Sequence, residues 1–223
     1  SLHSRKCKVA TLKNVYLGPS INNFNINEWK NKLPNLQIEK INLVEDEICK
    51  DLINSQVIGL VRGRMEFGPR ALCKRSIIYK TSDKTINDWL NKRLGRNEFM
   101  PFAPVIRSEI AKIAFKKYSV DDLTLNFMTS TIDCSDEFSK KDPAVTHIDK
   151  TARPQIIYKN KDSFLWSLLS KWEKLSGEMA LVNTSFNVHE EPIICSEKKA
   201  IDALVNEIID VLYIENNRIS VKV

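Results

Sequence analysis

The sequence predicts an α/β domain in which a twisted, mixed sheet is flanked by helices. Three observations carry that reading. Apolar strand-like runs alternate with amphipathic stretches along the 223 residues. Within 162–176, Phe164, Leu165, Leu168, Leu169, Trp172 and Leu175 fall on one helical stripe, with Lys171, Glu173 and Lys174 off it. The chain closes on an apolar run, 211–214, then an Asn216–Asn217 turn, then alternating Ile219, Val221 and Val223, which is the pattern of a hairpin.

Taken in order, residues 1 to about 15 are polar and basic and read as a linker. Trp29 and Leu33 predict a short helix, and Ile38, Ile41, Leu43 and Val44 a strand or a helix entry. Residues 57–61 are a short apolar run, the mark of a buried strand. The chain then turns through Gly63 and Gly68, with a helix expected from Pro69, because proline is favoured at a first helical position. A second apolar run, Ser76 to Tyr79, follows. Arg62, Arg64, Arg70, Lys74 and Arg75 crowd this stretch, with Glu66 among them. A strand, a glycine turn and a helix start would make an anion site, and arginines add bidentate donors. A solvated basic turn is the plainer alternative.

Asp83 is a candidate N-cap for a helix carrying Ile86, Trp89, Leu90 and Leu94. That helix ends in a second basic cluster, Lys92, Arg93 and Arg96, broken by Gly95. Such cations either bind an anion or complement the helix dipole. Two prolines hold 98–106 extended. Ser108 is expected to cap a helix through Lys116, 123–133 alternates like a strand, and 134–142 reads as an exposed loop. His147 and Asp149 read first as a local turn and second as base or metal ligands. A strand over 156–158 precedes the striped helix, which Gly177 stops. A buried strand then ends at Asn183, Thr184, Ser185 and Asn187, either ligand-orienting groups or turn formers. Ser196 begins a last helix with Ala200, Ile201, Leu204, Val205 and Ile208 on one face.

Composition sets the outer limits. Hydrophobic residues are 43% and charged residues 28%, normal for a globular chain. No apolar run approaches the roughly 20 residues that span a bilayer. The first ten residues lack an apolar core segment. Five cysteines, Cys7, Cys49, Cys73, Cys134 and Cys195, form no C-x-x-C pair. This argues against a disulfide framework or zinc site and predicts a reducing, cytoplasmic setting. The net charge of +6 means either plain solubility or an anionic ligand or nucleic acid. There is neither a Walker motif nor a Ser-His-Asp set.

Four blocks resemble a known family. GRMEFGPRAL, from Gly63 to Leu72, is similar to the signature of the C-terminal domain of NodU/CmcH-type O-carbamoyltransferases, which continues with glycine where this chain has Cys73. PFAP at Pro101–Pro104 matches the next block, although Met100 replaces its arginine. PAVTHIDKTARPQII resembles a third, with Lys150 for glycine, and NTSFN followed by EPII a fourth, with Glu190 for glycine. The resemblance covers about residues 57 to 215, and YLGPS at Tyr16–Ser20 resembles the junction between that family's two domains.

The resemblance implies a YrdC-like fold over 21–223, with 1–20 a junction from a missing N-terminal domain. It implies a domain that binds ATP, with its Mg²⁺, and carbamoyl phosphate, and forms carbamoyl-adenylate with release of pyrophosphate. A metal-holding N-terminal domain would then pass the carbamoyl group to an acceptor hydroxyl. The implied catalytic residues are Arg70, Lys92, Arg96 and Arg153, with Arg64, Glu66, Arg75, Arg93, Asn183, Ser185 and Asn187 binding substrate and no metal ligand in this chain. Two alternatives stand beside it. One is a YrdC-like RNA-binding module, for which the cations should form a broad stripe with stacking aromatics. The other is hydrogenase-maturation-type carbamoyl transfer, which normally brings acylphosphatase and zinc-finger regions. The enzyme reading requires Arg70, Arg153 and Ser185 to share one pocket. Separately, the strain of a left-handed backbone at a non-glycine residue predicts ordinary negative φ at Cys73, within a helical turn, and exposed positions for Lys150 and Glu190.

Overall fold

The computed structural model describes residues 14–21, 24–96 and 101–222. The first elements are α1 (Ile26–Lys32), β1 (Leu36–Lys40), α2 (Val44–Ile53), β2 (Ile58–Val61), β3 (Arg75–Lys80) and α3 (Ile86–Arg93). There follow β4 (Ala103–Arg107), α4 (Ser108–Ala114), β5 (Ile132–Asp133), α5 (Asp136–Lys141), β6 (Thr151–Ala152) and β7 (Gln155–Ile157). The chain ends with α6 (Ser163–Ser176), β8 (Ala180–Ser185), α7 (Glu197–Val205), β9 (Val211–Ile214) and β10 (Asn217–Val221).

Eight strands form one sheet in the order β1-β10-β9-β2-β3-β8-β4-β7, and β5 pairs with β6 apart from it. β2 runs parallel to β9 and β4 parallel to β7, while the other pairings in the sheet are antiparallel. The sheet is therefore mixed, as expected. The central strands are buried on both faces, and their side chains divide by parity. Ile58, Leu60, Ile78, Leu181, Val211 and Tyr213 face one core, completed by Val44, Ile48 and Leu52 of α2 and Leu165, Leu168 and Trp172 of α6. Val61, Ile77, Tyr79, Val182, Leu212 and Ile214 face the other, completed by α1, α3, α4, α5 and α7. Two covered faces explain why these strands read as unbroken apolar runs rather than alternating ones.

The striped helix forms as its sequence dictates. Asp162 caps it by accepting from Leu165 N at 3.0 Å, and Gly177 closes it at φ +78°, where a side chain would be strained. Asp162 also holds Arg62 and, at 3.3 Å, Lys74.

Three expectations are corrected. No helix begins at Pro69: 62–74 is an irregular loop. The buried Glu66 carboxylate accepts from Leu72 N, Lys74 N and Arg75 N, so a side chain takes the amides that a helical ladder would use. Residues 123–133 hold a 3₁₀ turn, Leu123–Asn126, capped by Asp122, and only the two residues of β5 are extended. The 134–142 stretch is α5 rather than a loop. Ser135 caps it by accepting from Phe138 N at 3.1 Å, and Phe138 and Asp142 are fully buried. The described part of the first 20 residues packs against the domain. Gly18 N donates to Met65 O at 2.9 Å, Met65 N to Pro19 O at 2.8 Å, and Phe67 N to Val15 O at 2.8 Å. Residues 1–13, and 97–100 of the extended block before β4, lie outside the described residues.

Candidate functional site

The topology gathers the family-like blocks at one end of the sheet. β8 is antiparallel to both β3 and β4, and β4 is parallel to β7. The starts of β3, β4 and β7 therefore meet the end of β8. Arg70 lies on the loop before β3, Arg96 before β4 and Arg153 before β7, while Asn183, Thr184 and Ser185 end β8. All six line one cavity of about 60 Å³, with Pro69, Ala71, Pro101, Phe102, Ala103 and Met128. An adjoining cavity of about 330 Å³ shares Pro69, Arg70, Met128 and Arg153 and adds Val15, Phe67, Leu72 and Phe127.

The polar groups form a directed network. Arg96 Nη1 donates to Thr184 Oγ1 at 3.2 Å and Nη2 to Ser185 Oγ at 3.3 Å. Ser185 Oγ donates to Asn187 Oδ1 at 2.5 Å, and Asn187 Nδ2 donates to Glu191 O at 2.7 Å. Arg70 and Arg153 are half-buried, and neither has a hydrogen bond or ion pair with a described residue. Burial, then the nearby charge of Arg70, lowers the Arg153 pKa from its ordinary value, and burial lowers that of Arg96. Among the described residues, the lining carries three guanidinium groups and no carboxylate. Positive charge without a partner, partly withdrawn from water, is stabilised by an anionic ligand.

The other predicted residues lie elsewhere. Arg75 is fully buried. Its Nη1 donates to the carbonyls of Arg62, Gly63 and Lys74, and its Nη2 to those of Pro19 and Gly63, so the guanidinium stands in for turn hydrogen bonds. Glu66, 2% exposed, organises loop amides as described above. Arg64 donates to Leu17 O at 2.5 Å and Gly18 O at 3.1 Å. Arg93 pairs with Asp210 at 2.6 Å and also donates to Glu207 O. Lys92 is exposed on the last turn of α3 and outside the lining. Asn187 also lies outside it and orients Ser185. His147 and Asp149 make the local turn: Asp149 Oδ1 accepts from Thr151 N at 3.0 Å and Thr151 Oγ1 at 2.8 Å. Among the described residues, no cluster of three or more His, Cys, Asp or Glu side chains is arranged to hold a metal ion.

Cys73 overturns the expectation of negative φ. It stands at φ +63°, with Lys150 at +62° and Glu190 at +64°. Lys150 and Glu190 are exposed, as expected, and Cys73 is wholly buried. Thus the three positions that read as glycine replacements are all left-handed. Cys73 is held there by its amide, which donates to Ser76 Oγ at 2.9 Å, and by its thiol, which reaches Gln155 Oε1 at 3.4 Å. Gln155 itself went unmarked in the sequence; a polar residue directly before an apolar strand is its one signal.

An uncharacterised protein of Methanocaldococcus jannaschii is 34% identical over 99% of this chain, which spans 43% of that protein. Nodulation protein NolO of Bradyrhizobium diazoefficiens is 31% identical over 91% of this chain and 37% of its own length. The chain thus spans less than half the length of these curated relatives. Full-length HypF, crystallised in its phosphate- and nucleotide-bound form, superposes with a TM-score of 0.53 at 17% identity, over 82% of this chain and 22% of that one, a likeness of fold. Residues 49–221 match the family described as carbamoyltransferase C-terminus, and the chain belongs to that family.

Proposed function

We propose that this chain is the adenylate-forming part of an O-carbamoyltransferase. It binds ATP and carbamoyl phosphate in the Arg70–Arg96–Arg153 pocket and joins them as carbamoyl-adenylate. A further domain then passes the carbamoyl group to an acceptor hydroxyl. The observation that carries this reading is the pair of unpartnered arginines, Arg70 and Arg153, facing one cavity beside Ser185. Their convergence in a cleft supports an enzyme over an RNA-binding stripe.

The chemistry brings two polyanions together, so their repulsion has to be screened before attack. Water opens the P–O bond of carbamoyl phosphate, giving carbamate and orthophosphate. A carbamate oxygen then attacks the α-phosphorus of ATP, and pyrophosphate leaves. Arg70 and Arg153 hold the phosphates. Arg96, fixed by Thr184 and Ser185, sets the third charge at the end of β8. The wider, more apolar cavity beside Phe67 and Phe127 suits the nucleoside. Mg²⁺ enters on the phosphates of the nucleotide. The need for ATP places the reaction in the cytoplasm.

The test is calorimetry and product release with the chain alone. Expected are binding of both ligands, carbamoyl-phosphate-dependent release of pyrophosphate and orthophosphate in equal amounts, and no carbamoylation of added hydroxyl acceptors. Absence of binding would remove the site, and full transfer by this chain would overturn the division of labour.

A further inference from the structure

Beneath the cavity lies a short polar relay through Cys73, Gln155 and Asn183, which are 0%, 2% and 1% exposed. Asn183 Nδ2 donates to Gln155 Oε1 at 2.8 Å and to Ala71 O at 3.1 Å. The Cys73 thiol, which burial pushes up to about 12, donates to the same Gln155 oxygen. Both N–H bonds of the Asn183 amide are therefore committed. Turning that amide over would set its oxygen against two other oxygens, so its orientation is fixed. The atom left over is Asn183 Oδ1, which is buried and has no hydrogen-bond partner among the described residues. Asn183 lines the same cavity as the three arginines. A buried carbonyl oxygen without a donor calls for an N–H from a ligand.

We propose that Gln155 is a positioning residue. With Cys73 it fixes the Asn183 amide so that Oδ1 accepts from the amino group of a carbamoyl ligand. The site thereby discriminates against acyl phosphates without an N–H. This rests on the reading of the pocket as a carbamoyl phosphate site and adds the origin of its selectivity. Acetyl phosphate is the informative rival, since it keeps the phosphate and carbonyl and replaces the amino group with a methyl group of similar size. It would satisfy the arginines and leave Oδ1 unpartnered. A site built around one such hydrogen bond should prefer the donor-bearing ligand by about ten- to a hundredfold.

The experiment measures the affinities of fresh carbamoyl phosphate, acetyl phosphate and inorganic phosphate for the native protein and for Gln155→Leu, Gln155→Met and Gln155→Glu. The native protein should prefer carbamoyl over acetyl phosphate by that factor. Leu and Met remove the acceptor oxygen and should lose most of the preference through weaker carbamoyl phosphate binding, with acetyl phosphate and phosphate affinities little changed. Glu keeps acceptor oxygens facing Asn183 and should retain the preference. A merely structural role would move all three ligands together. Equal native affinity for the two acyl phosphates overturns the inference and leaves the anion site standing. A native preference that survives in both Leu and Met removes Gln155 from it. Failure of the folded native protein to bind any of the three overturns the proposed function itself. Should both apolar variants fail to fold, the native ratio and the Glu variant decide.

Discussion

Arg75 and Arg153 both stand at or just before the start of a strand, yet only one is available to a ligand. The Arg75 guanidinium is fully buried against backbone carbonyls of Pro19, Arg62, Gly63 and Lys74. Arg153 is half-buried at the cavity mouth beside Arg70, with no partner of its own among the described residues. Residue type and position in sequence do not separate the two; what separates them is which oxygens lie within reach. Arg153→Ala should therefore weaken binding of carbamoyl phosphate by one to two decades, the loss of a charge-assisted contact worth roughly 1.5–3 kcal/mol. Arg153→Lys restores the charge without the bidentate fork and should recover only part of the loss. Native affinity should also fall as salt is raised, because the cavity mouth is partly solvated. Calorimetry on the three proteins checks this, and unchanged affinity in the Ala variant would remove Arg153 from the site.

Elements were legible where a single periodicity ruled. The α6 stripe, its Gly177 stop, the apolar β2 and β3 runs and the β9–β10 hairpin all follow from local pattern. Those that sequence misplaced were decided by a side chain from elsewhere or by a short, mostly polar cap. Glu66 holds 66–74 as a loop, and α5 forms on one Ser135 cap and one buried Phe138. For the site, spacing marked the cations but not which of them the loop would spend internally. The left-handed positions are the sharpest case, because a non-glycine residue gives no local sign of positive φ. Lys150 and Glu190 are exposed there, so strain is uncompensated by burial. Lys150→Gly and Glu190→Gly should each change stability by less than about 1 kcal/mol, in the stabilising direction, as relief of strain exceeds the chain entropy glycine adds. Cys73→Gly should instead destabilise, because it also deletes a buried thiol and its contact to Gln155. Thermal unfolding of the three variants checks the sign, and a stabilised Cys73→Gly would show that strain outweighs packing.

At the scale of the whole molecule, the end of the sheet opposite the pocket is closed by a buried cluster of two carboxyl groups and a hydroxyl. Thr81 follows β3, Glu178 precedes β8 and Asp142 ends α5, and all three are buried. Thr81 Oγ1 lies 2.5 Å from Asp142 Oδ1, 2.8 Å from Glu178 Oε2 and 3.2 Å from Ala180 O. One hydroxyl proton cannot serve three acceptors at full strength, so the arrangement favours a proton on the Asp142 carboxyl. Burial, reinforced by the charge of Glu178 and opposed by bonds from Thr81, Met179 N and Ala180 N, pushes the Asp142 pKa up to about 7. The sign follows from linkage. An unfolded Asp titrates near ~3.9, so between about pH 4 and 7 the native state holds a proton that the unfolded state has lost. Stability from this group is full below pH 4, declines as pH rises to 7 and is flat above, over a range of at most about 4 kcal/mol. Asp142→Asn keeps, at the Oδ1 position, an oxygen that accepts from Thr81 Oγ1, Met179 N and Ala180 N, and removes the ionisable group. It should remove that decline, so the gap between variant and native melting temperatures widens from pH 4 to 7 in favour of Asn. Parallel profiles across that range would show that Asp142 stays ionised when folded. Because Asp142 lies at the far end of β3 and β8 from Arg70 and Arg153, ligand affinity at a temperature where both proteins are folded should be unchanged.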